Sequence, residues 1–161
     1  VLIDTVIKMD IDNLAVTFIG PGLDKAELKE MTVGHEDIFA FFDPIPKNTI
    51  PDLFNYIDAS FVGAKSQKIF RFGISMNKLF DAMMGGKPIL YMVDAPNNYV
   101  KEYNCGITVN GDKESDLEDA IYELLSLNEK NLVLMGENGR RAIEHIFNYG
   151  MLSKKFENVM Y

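Results

Sequence analysis

The sequence predicts an α/β protein built on an open parallel sheet with helices on both faces. Short apolar runs recur along the chain with helix-patterned segments between them, the alternation that gives parallel strands joined by helical crossovers. The runs are apolar throughout rather than alternating, as in strands covered on both sides. At 161 residues the chain fits one domain, residues 1–161, with enough length to bury a substantial core. No internal repeat or low-complexity linker divides it.

The opening stretch, VLIDTVIKMDID, reads as the middle of a helix. AVTFIG (Ala15 to Gly20) is the first strand and ends in a glycine turn, and KAELKEM has helical composition. DIFAFF (Asp37 to Phe42) is the second strand. NTIPDLFNYI (Asn48 to Ile57) is the next helix, with Asn48 or Thr49 as cap and Pro51 tolerated in the first turn. ASFVGA (Ala59 to Ala64) is the third strand, and a helix follows within Arg71 to Leu90. PILYMV (Pro88 to Val93), the short helix NNYVKEY and the strand GITV (Gly106 to Val109) come next. From Glu114 to Leu127 the apolar residues Leu117, Ile121, Leu124 and Leu125 share one helical face. Helices over about Glu129–Phe147 and Leu152–Val159 close the chain.

Composition narrows the function classes. A net charge of −8 argues against nucleic acid, whose backbone is held by lysine and arginine stripes. It does not exclude a small anion, because a local pocket can oppose the global charge. No apolar run reaches the roughly 18 residues a membrane span needs, and the first residues lack the basic flank of a signal peptide. The single cysteine, Cys105, cannot form an internal disulfide, which fits a reducing cytoplasm.

In an open parallel sheet, ligands bind beyond the carboxyl ends of the strands. That edge holds the loops after Gly20, Phe42, Ala64 and Val93. The segment FGISMNKLFDAMMGGKP carries its most suggestive chemistry. Ser75 is placed to cap the helix at its first turn, where free amides and the positive dipole end favour an anion. Lys78 would add a mobile positive charge, and Asp81, three residues on, shares its face. The bland alternative has Ser75 as a cap, Lys78 paired with Asp81 at the surface, and Gly85-Gly86 ending the helix in left-handed conformations.

Other motifs favour the bland side. The G-P-G of FIGPGLDKAELKE lacks the third glycine of a dinucleotide fingerprint. Asp10-Ile11-Asp12 has a metal-binding spacing but precedes a strand, at the wrong edge. His35 and His145 have no partner at ligand spacing, so no metal site is expected. Cys105 reads as a small buried thiol, and Arg140 and Arg141 as residues of a solvated helix face.

Taken in order, FIGPG, FFDPIP, LFNYIDASFV, FGISMNKLFDAMMGGKPIL, NCGITV and MGENGR resemble the C-terminal, donor-binding domain of retaining two-domain glycosyltransferases of the B-type fold. The similarity is greatest to bacterial enzymes of capsule, O-antigen and exopolysaccharide assembly, and it covers nearly the whole chain. It implies a Rossmann-like sheet and a nucleotide-sugar donor, UDP- or GDP-linked, with no cofactor and no metal. In the family's motif two glutamates are separated by seven residues. Asp81 takes the second position, which implies contact with the nucleotide ribose. Gly73 takes the first, so the carboxylate that faces the donor sugar is lacking. Ser75, Asn77 and Lys78 match the part that meets the diphosphate, with Lys78 stabilising the leaving group. Phe42 and Asp43 match the loop against the base, and Gly20 and Gly22 line the cleft.

The resemblance further implies an amino-terminal half carrying the acceptor site, together with a first strand of this half and basic residues after it. None of these is found in the 161 residues, so the chain reads as a fragment or a separately expressed domain. It implies a cytoplasmic enzyme, with peripheral contact at the inner face of the membrane. Two alternatives stay open. One is half of a nucleotide-sugar epimerase of the same architecture, and the other is a non-catalytic α/β interaction domain.

Overall fold

The computed structural model describes residues 1–109 and 113–160. Along them run α1 (Leu2–Met9), β1 (Val16–Ile19), α2 (Lys25–Met31), β2 (Phe39–Phe42), α3 (Ile50–Leu53), β3 (Ser60–Gly63) and α4 (Asn77–Gly85). They continue with β4 (Ile89–Met92), α5 (Tyr99–Glu102), β5 (Gly106–Thr108), α6 (Glu114–Ser126), α7 (Glu129–His145) and α8 (Tyr149–Met160). Each strand lies within the apolar run that predicts it.

The expected helix over Asn48–Ile57 is broken. Only α3 is α-helical, between 3-10 turns at Lys47–Thr49 and Phe54–Tyr56. Thr49 precedes α3, but its hydroxyl donates backward to the Pro46 carbonyl (2.8 Å) rather than capping the helix. The second turn brings Phe54 inward against Gly85, where any Cβ would collide with its ring.

All strand pairings are parallel. Val16 pairs with Phe39, Ser60 with Ile89, and Ile89 with Gly106. The expected single sheet comes in two hydrogen-bonded pieces, β1–β2 and β3–β4–β5. Among the described residues β4 alone is flanked by strands on both sides, and β1, β2, β3 and β5 each keep one unpaired edge.

The pleat sorts β4 between two cores, because successive side chains point to opposite faces. Leu90 and Met92 join Ile3, Val6, Phe39, Ile107 and Leu117 in one cluster, under α1 and α6. Ile89, Tyr91 and Val93 join Leu79, Met83, Val100, Cys105 and Ala142 in the other, under α4, α5 and α7. The β1–β2 piece belongs to the first cluster through Phe39 and the half-buried Val16, Phe18 and Phe41. Phe18 and Phe41 are register partners whose rings stack with centroids 4.9 Å apart.

The segment MGENGR of α7 closes on the end of α4. Gly136 lies against the Gly86 carbonyl so closely that a Cβ there would clash with it. Gly139 stands over Met83 and Cys105, with no more than 3.2–3.3 Å for a Cβ. Arg140 and Arg141 are both exposed, as expected, but Arg140 also reaches the end of α4. Its Nε and Nη2 donate to the Met84 and Gly85 carbonyls, each at 3.3 Å. A guanidinium there satisfies orphan carbonyls and opposes the negative end of the helix dipole. Arg141 does face solvent and pairs with Glu137 at 2.8 Å. Gly86 ends α4 in the left-handed region (φ 71°), as expected, but Gly85 remains within the helix. Beyond α7, Asn148 accepts from the Met151 amide at 2.9 Å to start α8, none of whose residues is buried.

Two predictions follow from this packing. Gly136→Ala should lower stability by about 3 kcal/mol, since the new methyl meets backbone that cannot swing aside; urea midpoints read the loss. Burial pushes the Cys105 thiol up to about 11 from an ordinary 9.0. The folded state therefore keeps a proton that the unfolded state releases between those values. Stability should fall through that window at up to about 1.4 kcal/mol per pH unit. Comparing alkaline denaturation of the parent with Cys105→Ala isolates this slope, which the variant lacks.

Candidate functional site

The strand carboxyl ends gather the predicted residues into two groups, one on each piece of the sheet. On the first, Gly20 leaves β1 with φ 128° and its amide donates to the Phe42 carbonyl at 3.3 Å. The same carbonyl accepts from the Lys25 ammonium at 2.8 Å, and Lys25 reaches Asp43 Oδ1 at 3.1 Å. Lys25 N donates in turn to the Gly22 carbonyl at 3.2 Å. Gly20, Gly22, Phe42 and Asp43 are thus drawn together by Lys25, a residue the sequence reading passes over. The Asp43 carboxylate is 97% exposed, so the ion pair itself contributes little; the bond to the Phe42 carbonyl fixes the lysine.

On the second piece, the expected cap is displaced by one residue. Met76, extended at φ −116° and ψ 116°, is the N-cap of α4, and no side-chain oxygen closes the first turn. Met76 gives its carbonyl to the Leu79 amide at 3.0 Å. Ser75 lies outside the helix, exposed, and bonds to nothing among the described residues. In the first turn of α4 the Asn77 and Lys78 amides have no hydrogen-bond partner among the described residues, while the Leu79 amide is satisfied. Asn77, Lys78 and Asp81 occupy the exposed side, while Leu79, Ala82 and Met83 face the core. Among the described residues Lys78 and Asp81 form no ion pair, so the bland reading loses both its cap and its surface pair.

The backbone entering α4 is held from the neighbouring loop. Gly73 has φ 98° and ψ 166°, a conformation that residues with a Cβ rarely adopt. Ile74 follows, and the Asn97 carboxamide pairs with both of its backbone groups. Asn97 Oδ1 accepts from Ile74 N at 2.8 Å and Nδ2 donates to the Ile74 carbonyl at 2.6 Å. A Cβ on Gly73 would stand 3.0 Å from Asn97 Oδ1. Phe72, Gly73, Ile74, Ser75, Pro96 and Asn97 line a shallow, open cavity of about 530 Å³. Asp81 lies in a separate cleft of about 440 Å³ shared with Lys47, Asn55, Arg140 and Glu144. Gly20, Gly22, Phe42 and Asp43 line neither cavity.

Asp10 ends α1 in the left-handed region (φ 46°), at the amino end of β1. Among the described residues no three His, Cys, Asp or Glu side chains converge. No helix among them is long and apolar enough to cross a membrane.

No family model and no curated protein matches the chain. Solved structures do match its fold. Sucrose-phosphate synthase (tll1590) from Thermosynechococcus elongatus superimposes with a TM-score of 0.74 at 14% identity, over 99% of this chain and 40% of that one. Anabaena Alr3699/HepE in complex with UDP-glucose gives 0.74 at 16% identity, over 99% and 43%. The same protein in complex with UDP gives 0.71 at 15%, again over 99% and 43%. The fold is therefore the Rossmann-like α/β arrangement found in those proteins, and the chain spans about two fifths of their length.

The loop geometry separates two neighbouring substitutions. Gly73→Ala should cost about 1–3 kcal/mol from backbone strain. Ser75→Ala should cost well under the ~1 kcal/mol of a lost cap, because the hydroxyl caps nothing. Thermal unfolding of both variants checks the contrast.

Proposed function

We propose that this chain is the nucleotide-sugar-binding domain of a glycosyltransferase, the C-terminal half of a two-domain enzyme whose acceptor half lies outside these residues. The observation that carries the reading is the backbone match over 99% of the chain to a protein in complex with UDP-glucose. It is supported by the position of every candidate residue at or beyond a strand's carboxyl end or on the helix that follows.

The chemistry is the departure of a nucleoside diphosphate from a sugar. Negative charge grows on the diphosphate as the glycosidic bond lengthens. Preorganised donors aimed at it lower the barrier. The open first turn of α4 would supply backbone amides, with Ser75 and Asn77 beside them, and Lys78 a positive charge not committed to Asp81. Asp81 would accept from the ribose hydroxyls. Phe42 and Asp43 would lie against the base, with Gly20 and Gly22 letting the ligand approach the backbone. No metal or other cofactor enters this scheme. Gly73 carries no carboxylate, so recognition of the sugar falls to other groups.

The acceptor would be a hydroxyl in bacterial surface-polysaccharide synthesis. The full enzyme would work in the cytoplasm, in peripheral contact with the inner face of the membrane. Nucleic acid has no part in this reading.

Thermal unfolding with UDP, GDP, ADP and inorganic diphosphate tests the proposal. A ligand at ten times its dissociation constant should add about 1.4 kcal/mol, roughly 3–6 °C for a chain of this size. A shift with one nucleoside diphosphate above the others supports the donor site and names the base; no shift with any counts against it. Lys78→Ala should weaken diphosphate binding far more than nucleoside binding. Asp81→Asn should do the opposite.

A further inference from the structure

Ile74 sits in a stretch without regular structure, yet both its backbone groups are paired by one side chain. A carboxamide that accepts from an N–H and donates to the C=O of one residue imitates a neighbouring strand. It fixes the two peptide planes on either side of that residue. Those planes lead directly into Ser75, Met76 and the first turn of α4.

Asn97 is itself well supported. The next residue, Asn98, accepts from Lys101 N at 3.0 Å and starts α5, and its Nδ2 donates to Thr108 Oγ1 on β5 at 3.1 Å. A line of hydrogen bonds thus runs from β5 through the β4–α5 loop to the entrance of α4. From the other side the segment is tied by Gly73 N, which donates to the Phe70 carbonyl at 2.9 Å. Losing Asn97 would leave Ile74 without its two partners while the helix and its packing stayed intact.

We infer that Asn97 is a positioning residue for the diphosphate: by clamping Ile74 it sets the direction in which the first turn of α4 presents its amides. The inference rests on the donor-binding reading above, and it adds a role for a residue that reading does not count among the ligand's contacts. Asn97 acts through Ile74 and is not itself a diphosphate ligand.

The test combines backbone hydrogen exchange at Ile74 with binding of UDP, GDP and inorganic diphosphate and of the matching nucleosides. In Asn97→Ala, Ile74 exchange should rise at least about tenfold as its local protection is lost. Diphosphate-bearing ligands should weaken by about tenfold, the equivalent of ~1.4 kcal/mol, with nucleoside affinity unchanged. Asn97→Asp replaces the donor to the Ile74 carbonyl with a repelling carboxylate oxygen, so Ile74 exchange should rise in this variant too, with diphosphate-bearing ligands weakened and nucleoside affinity unchanged. Unchanged Ile74 exchange in Asn97→Ala, or equal losses for nucleoside and diphosphate, would overturn the inference. If the parent chain binds no nucleotide, the donor-binding reading fails and the ligand role of Asn97 fails with it. The exchange data then still decide whether Asn97 holds the turn.

Discussion

Everything at the second half of the candidate site depends on the contact between Gly136 and the Gly86 carbonyl. Two helices approach backbone to backbone there because neither carries a Cβ in the way. That distance lets Arg140 reach the last carbonyls of α4, and it sets Leu79, Ala82 and Met83 onto β4. With its carboxyl end immobilised and its buried face locked, α4 has one orientation in which to project its opposite end. The open first turn, Lys78 and Asp81 inherit that orientation. A rigid scaffold is what allows an uncapped helix start, which would otherwise fray, to persist at the sheet edge.

The two ends of α4 are therefore treated in opposite ways. At the carboxyl end a left-handed glycine, a guanidinium and a neighbouring helix satisfy the polar groups. At the amino end no side chain does so, and the neighbouring Asn97 fixes the approach to the helix without filling its first turn. A helix finished at one end and left open at the other is a dipole with a single accessible pole. The first piece of the sheet differs in kind. There Lys25 is engaged by the Phe42 carbonyl and Asp43, whereas Lys78 on the α4 side has no ion-pair partner among the described residues.

Much of this was legible in the sequence. Strands announce themselves because burial on both faces demands unbroken apolar runs, and all five were found where such runs occur. The break in the Asn48–Ile57 helix was not legible, since it follows from Phe54 turning onto Gly85, a contact between distant residues. Periodicity also misleads on α7. Its buried residues are Gly136, Gly139 and Ala142, whereas Val133 and Leu134 stand about half exposed (52% and 48%). The inner face of α7 is built of small residues that allow close approach, and it is this approach that lets the exposed Arg140 reach the carbonyls at the end of α4. Ser75 has the right chemistry for a cap but stands one position too early, a shift within the ordinary uncertainty of helix ends. Asn97 and Lys25 are single polar residues whose roles exist only through partners 23 and 17–18 positions away.

The division of the sheet has a mechanical consequence. Hydrogen-bonded ladders resist shear along their length, whereas side-chain packing yields by small slides and rotations. Because among the described residues no ladder joins β1–β2 to the rest and packed side chains do, the molecule is two stiff plates on a softer bearing. Gly20 and Phe42 ride on one plate, and Ser75 and Lys78 on the other. A guest long enough to touch both would act as a strut, and the distance between its two footholds would be set as much by the guest as by the host.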